Sequence, residues 1–166
     1  LQDKVDWSYI SIHQKLSEDF IREFKDKVDW KLISGYQKLS EDFIRKFKDR
    51  VNWYYISKYQ TLSEDFIREF QKKVDWEEIS INQKLSENFI RKFKKKVNWF
   101  WISVFQTKTL SEDFKEEFKK ELPNVKYFIG FSREKDEDNV LSYDSFKNSG
   151  KEKQNENTDS VKKGNT

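Results

Sequence analysis

Apolar and polar residues alternate along this chain with a long, fixed period. Tryptophan recurs every 23 residues, at Trp7, Trp30, Trp53, Trp76 and Trp99, and the residues between the tryptophans repeat as well. Within each copy, apolar residues recur three or four positions apart, which is the spacing of one face of an α-helix. A period of this size indicates an array of small units that bury a shared core only by stacking on one another.

Each copy contains two signals for the start of a helix. The residue before each tryptophan is Asp or Asn, and a serine opens each LSED-type segment; these residue types are preferred N-caps. Acidic residues follow the serine, where the helix dipole favours them. The pattern predicts a helix A from Trp7 to about Gln14 and a helix B from about Glu18 to Lys27, joined by short links.

One face of each predicted helix stays nearly constant between copies. In helix A this face carries Trp7, Ile10, Ser11 and Gln14. In helix B it carries Phe20, Ile21, Phe24 and Val28. Isolated helices of this length are marginal in water, so burial of these faces must stabilise them, with the indoles stacked in register. We interpret the polar columns that begin at Ser11 and Gln14 as groups that satisfy backbone atoms at the turns between units.

Helix B also repeats a charged pair at i, i+4 spacing. The pairs are Glu18–Arg22, Glu41–Arg45, Glu64–Arg68 and Glu87–Arg91. We interpret them as surface ion pairs, each worth about 0.2–0.5 kcal/mol. The functional alternative is an arginine ladder that binds phosphates.

These patterns predict an all-α fold: an α-solenoid of about five two-helix repeats over residues 1–122. Lys115 stands where other copies carry isoleucine, and a charge at a stacking position predicts that no further unit packs there. Residues 123–131 are predicted as an apolar capping segment, and residues 132–166 as a disordered tail because they lack apolar content. The chain starts inside a copy, so we expect a piece of a longer array whose exposed end is a candidate for self-association.

Composition narrows the classes of function. The chain has 33 basic and 30 acidic residues, interleaved, so no global field attracts polyanions. It has no cysteine, and its one histidine, His13, has no recurrent Asp or Ser partner. We therefore expect no enzyme, no cofactor and no metal site. No apolar run is long enough to span a bilayer, and an intracellular setting is expected.

The face of helix A opposite the constant stripe varies between copies and is rich in aromatic residues. Aromatic side chains on a rigid surface are typical anchors for a binding partner. The predicted partner-binding residues are Tyr9, Tyr36, Tyr54, Tyr55, Tyr59, Phe100, Trp101 and Phe105. The alternatives are that these side chains pack between neighbouring helices A, that they reflect only drift in an AT-rich coding sequence, or that residues 124–131 cover the group at Phe100, Trp101 and Phe105.

Lysines cluster where helices B end, most densely at Lys94, Lys95 and Lys96. Cations there complement the C-terminal end of the helix dipole. The functional alternative is contact with phosphates, as in repeat proteins that stack bases on aromatic side chains. We therefore predict a non-catalytic protein–protein interaction scaffold, with single-stranded nucleic-acid binding and a purely structural spacer as alternatives.

The repeated phrase W-x-x-I-S-x-x-Q-x-L-S-E-x-F-I, as in residues 53–67, resembles a family of short helical repeats encoded by large DNA viruses of amoebae and algae. The resemblance covers residues 1–122, and copy five departs from it at Lys115 and Glu116. It implies a helical repeat protein in the host cytoplasm or the virion, and it supplies no catalytic residues.

Overall fold

The computed structural model of the protein describes residues 5–121. The predicted capping segment 123–131 and tail 132–166 lie outside the described residues. Over the described range the chain is all-helical and repeats two helices per copy, which confirms the predicted fold class. The A helices are α1 (Trp7–His13), α3 (Trp30–Tyr36), α5 (Trp53–Tyr59), α7 (Trp76–Asn82) and α9 (Trp99–Phe105). The B helices are α2 (Glu18–Glu23), α4 (Glu41–Lys46), α6 (Glu64–Glu69), α8 (Glu87–Lys92) and α10 (Glu112–Glu121), the last preceded by a 3-10 turn at Thr107–Thr109.

The predicted N-caps are confirmed in both helices of the repeat. In α5, the Asn52 side chain accepts a hydrogen bond from the backbone N–H of Tyr55. In α6, the Ser63 hydroxyl accepts one from the backbone N–H of Phe66. Each cap satisfies a backbone donor that has no partner inside the helix, and this fixes where the short helices begin.

Helix B is shorter than predicted. The α2 helix ends at Glu23, four residues before the expected end at Lys27. At Phe24 the backbone leaves helical geometry, and its carbonyl accepts from the N–H groups of both Lys27 and Val28, at 2.9 and 3.1 Å. This turn keeps Val28 in the core, so the apolar spacing persists although the helix has stopped.

Isoleucine and phenylalanine form the continuous core, and each indole packs at its edge. In the second repeat Trp30 stacks on Phe43 and Phe47, with ring centroids 6.2 and 4.9 Å apart. The ring contacts of Trp30 and Trp53 are with the phenylalanines of their own repeats, so the prediction that successive indoles stack on one another is wrong. The Trp30 N–H instead donates to the carbonyl of Lys25, and this bond ties the preceding turn to the repeat.

Neighbouring repeats are joined by A helices that pack side by side in chain order, from α1 to α9. The buried glutamine at the end of helix A forms side-chain hydrogen bonds with backbone groups of the repeat before it. The Nε2 group of Gln60 donates to the carbonyls of Ser34 and Gln37, and its Oε1 accepts from the N–H of Leu39. Gln37 and Gln83 make the equivalent three bonds. This confirms the structural interpretation of the glutamine column.

The serine column joins repeats in a similar way. The Ser34 hydroxyl donates to the Trp30 carbonyl at 2.6 Å and accepts from the N–H of Asn52, the N-cap residue of the next repeat, at 2.9 Å. Ser57 repeats the arrangement one copy later. One buried hydroxyl therefore positions the start of the following helix A. This confirms the structural interpretation of the serine column.

The charged side chains Glu41 and Arg45 of helix B make closer contacts with the next repeat than with their predicted i, i+4 partners. Glu41 lies 3.8 Å from Arg45, but its stronger contact is with the next repeat, where it accepts from the backbone N–H of Ser63 at 2.6 Å. Arg45 binds Asp42, three residues before it, and Glu69 of the next repeat, both at 2.8 Å. The glutamates therefore serve mainly to join repeats. Over residues 5–121, no helix has the length and apolar character needed to cross a bilayer.

Candidate functional site

Most of the predicted aromatic anchors lie on the surface. The exposed fraction is 56% for Tyr9, 60% for Tyr36, 42% for Tyr54, 56% for Tyr59 and 49% for Phe105. All five lie on A helices whose opposite faces are fixed in the core. The variable face therefore presents aromatic rings to solvent, and three of them, Tyr36, Tyr59 and Phe105, occupy the same position at the end of helix A.

Three predicted anchors are placed differently. Tyr55 and Phe100 are half-buried, and Trp101 is only 5% exposed. The Trp101 indole N–H donates to Glu77 of the preceding repeat at 3.2 Å, and its ring lies against Phe100 and Phe105. The prediction of Trp101 as an exposed anchor is therefore wrong. The position it occupies faces the neighbouring helix A rather than solvent.

Gly35 explains the placement of Tyr55. A Cβ atom at Gly35 would lie 3.0 Å from Cδ1 of the Tyr55 ring and 3.6 Å from Cδ2 of Tyr59. The missing side chain lets the two rings, which stack with centroids 5.8 Å apart, approach α3 closely. Lys31 lies over the outer side of the Tyr55 ring, with Nζ 5.6 Å from its centroid. Tyr55 therefore positions the exposed Tyr59 more than it offers a contact of its own.

A small polar network borders these tyrosines. Lys58 Nζ lies 3.2 Å from the Tyr54 hydroxyl, 5.6 Å from the Tyr59 ring centroid and 3.8 Å from the carboxylate of Glu78. The hydrogen bond with Tyr54 and the charge of Glu78 raise the pKa of Lys58 against the effect of burial. Asn82 donates to the buried Glu78 carboxylate at 2.9 Å. This network fixes the cation next to the aromatic face.

Exposed rings and backbone edges enclose a shallow cavity between the ends of α3 and α5. Its volume is about 360 Å³, and its described lining includes Gly35, Tyr36, Lys38, Tyr59 and Thr61. Two exposed tyrosines, one from each repeat, border a largely polar floor. A concave site with aromatic edges and backbone polar groups can hold an extended or looped peptide segment.

A second cavity lies where helices B end. Its volume is about 560 Å³, and the described residues that line it include the predicted phosphate-contacting Lys94, Lys95 and Lys96. Arg68 and Arg91, two members of the arginine ladder considered as a phosphate-binding alternative, also line it, and so does Lys92, which the sequence pattern did not single out. The two cavities share no described lining residue, so the lysine cluster and the tyrosine face are separate sites.

Within residues 5–121, no three His, Asp or Glu side chains come together as a metal site would require. No family model, curated protein or solved structure matches the chain. The resemblance to virus-encoded helical repeats, and the setting it implies, therefore stays a prediction. Function must be argued from the residues themselves.

Proposed function

We propose that the chain is a non-catalytic scaffold that binds a protein partner through the exposed face of its A helices. The supporting observation is that four of the five A helices carry exposed aromatic rings, at Tyr9, Tyr36, Tyr54, Tyr59 and Phe105. Tyrosine offers a large amphipathic contact area at a low cost in side-chain entropy. Each ring lies on a helix held by buried side chains and inter-repeat hydrogen bonds, so little order has to be gained on binding.

The centre of the proposed surface is the pair Tyr36 and Tyr59. These two rings border the same cavity, and Lys58 and Lys38 place positive charge beside them. This combination suits a partner segment with an apolar or aromatic residue flanked by carboxylates. Trp101 has no part in the proposal, because its ring is buried against the preceding repeat.

The test begins with affinity purification using the full chain as bait and continues with the purified partner. Tyr36→Ala/Tyr59→Ala should weaken binding at least about tenfold, because truncation of a central aromatic anchor typically costs about 2 kcal/mol or more. The matched control is Lys48→Ala/Lys72→Ala, which changes two exposed residues away from the cavity. Equal recovery and affinity for all three proteins would reject this surface and favour the structural-spacer alternative.

Single-stranded nucleic-acid binding remains a second proposal because one cavity gathers several cationic side chains, including Lys94–Lys96. The separation of that cavity from the tyrosines disfavours a strand that would use both. A salt titration of the complex distinguishes the two proposals. Phosphate contacts give a steep loss of affinity with rising salt, whereas aromatic anchoring gives a shallow one.

A further inference from the structure

Inter-repeat ion pairs form two columns along the B helices and the turns that follow them. In the first column, Arg45 binds Glu69 of the next repeat through Nε at 2.8 Å. Arg91 binds Glu117 in the same way, at 2.9 Å from Nη2. These guanidinium groups are satisfied by a carboxylate from the following repeat.

The second column lies in the turns after helix B. Here Lys73 Nζ binds Asp49 of the preceding repeat at 3.0 Å, and Arg50 binds Asp26 at 2.5 Å. Each cation again meets a carboxylate one repeat away. Among the described residues, the junction between the second and third repeats carries both of these ion pairs.

The junction between the third and fourth repeats lacks both carboxylates. Lys92 occupies the position that Glu69 has one repeat earlier, and Lys72 occupies the position of Asp49. Lys96 consequently turns to the side-chain oxygen of Gln71 at 3.1 Å. The junction between the first and second repeats, by contrast, lacks only the carboxylate of the first column, because Asp26 supplies the carboxylate of the second column there.

This junction leaves a buried donor without an acceptor. Arg68 binds its own Asp65 through Nη1, but its Nε is buried and has no hydrogen-bond partner within the described structure. An unsatisfied buried donor on a charged group is costly and calls for an explanation. The equivalent Nε groups of Arg45 and Arg91 both donate to a carboxylate, whereas that of Arg22, at the first junction, is buried without a partner as well.

The same junction forms the cavity of about 560 Å³. The described residues that line it include six cationic side chains and no carboxylate: Arg68, Arg91, Lys92, Lys94, Lys95 and Lys96. Lys92 and Lys95 form no ion pair with any described residue. We propose that this cavity binds a small ligand with several phosphate groups, whose oxygens take the place of the missing carboxylate partners of Arg68 and Lys96.

Neighbouring junctions favour a discrete ligand over a continuous strand. Arg45, one junction earlier, is already bound to Glu69, and Arg91, which lines the cavity, is already bound to Glu117 of the following repeat. A polyanion that followed the array would meet these carboxylates one repeat away in both directions. A compact polyphosphate matches both the size of the cavity and the limited extent of the unpaired charge.

The test measures binding of tripolyphosphate to the full chain by calorimetry and thermal shift, with inorganic phosphate and sulfate as further arms. One tripolyphosphate should bind per chain, with a lower dissociation constant than inorganic phosphate or sulfate. Arg68→Gln should weaken it by about tenfold or more through the lost charge-assisted bond. Lys92→Glu should abolish binding and raise the melting temperature without ligand, because the introduced carboxylate restores the pairing found at the neighbouring junctions.

The matched control is Lys84→Glu, an equal change of charge at an exposed residue outside the cavity. It should leave affinity within about twofold of the original, because Lys84 does not line the cavity and salt screens an exposed charge. If Lys84→Glu weakened binding as much as Lys92→Glu, tripolyphosphate would be responding to the overall charge of the protein, and the proposed site would be rejected. Binding of long single-stranded oligonucleotides without binding of tripolyphosphate would also overturn the proposal.

Discussion

Replacement of Gln60 by leucine tests how the repeats are joined. The glutamine donates to the carbonyls of Ser34 and Gln37 at 2.9 and 2.7 Å, and it accepts from the N–H of Leu39 at 3.0 Å. Leucine has a similar volume, so the substitution creates little cavity. It leaves two carbonyls and one N–H of the preceding repeat without their partner.

The expected cost follows from these three groups. An unsatisfied buried polar group costs about 1–3 kcal/mol. Burial of the leucine side chain offsets about 2 kcal/mol of this loss. Gln60→Leu should therefore lower the free energy of unfolding by roughly 1–7 kcal/mol, with a midpoint of about 4 kcal/mol, a large fraction of the stability of a typical domain.

Urea denaturation followed by circular dichroism measures this loss, and the chain offers a matched control. Gln14 occupies the same position in the first repeat, but its side chain is exposed and bonds to no described residue. Gln14→Leu should change stability by less than about 0.5 kcal/mol. If the two variants lost similar amounts, or if Gln60→Leu lost less than about 1 kcal/mol, the glutamine bonds would not be what joins the repeats.

Hydrogen bonds from Ser111 lower the pKa of Glu87 below its ordinary value of 4.5. The charged Glu87 carboxylate therefore stabilises the fold above pH 4.5. This stabilisation is lost as the pH falls through the lower pKa of Glu87 in the folded state. Glu87→Gln should cost about 1 kcal/mol at neutral pH and make thermal stability less sensitive to acid; an unchanged acid profile would contradict this. Gly35→Val should cost about 1–3 kcal/mol by pressing on the Tyr55 ring, and a double-mutant cycle with Tyr55→Ala should recover part of it. Trp53→Phe should lower stability in urea by about 1–2 kcal/mol, because it removes an indole N–H bond to the preceding turn.

The features that could be predicted from the sequence are those that depend on spacing within one copy. The period, the caps at Asn52 and Ser63, and the apolar stripes all follow from local preferences and helical geometry. The buried glutamine column could be predicted because a polar residue on a core face must have a partner. The end of helix B could not, because Phe24 changes conformation without any glycine or proline to signal it.

Other features that depend on contacts between copies were missed. Spacing within helix B pairs Glu41 with Arg45, whereas stacking places that carboxylate against the next N-cap, Ser63. Trp101 is buried and donates to Glu77 of the preceding repeat, a contact between copies that no single copy reveals. A signal for the cationic junction was present, however: Glu69 alternates with Lys92 in the same column.

The central claim is that the constant face of each A helix is sealed in the core while its variable face is presented to solvent. Hydroxyl-radical footprinting of the full chain, read by mass spectrometry and corrected for intrinsic reactivity, tests this most directly. Tyr36 and Tyr59 should react at rates typical of exposed tyrosine, Tyr55 more slowly, and the buried Phe43 and Phe66 least of all. Protection of Tyr36 and Tyr59 equal to that of Phe66 would contradict the account.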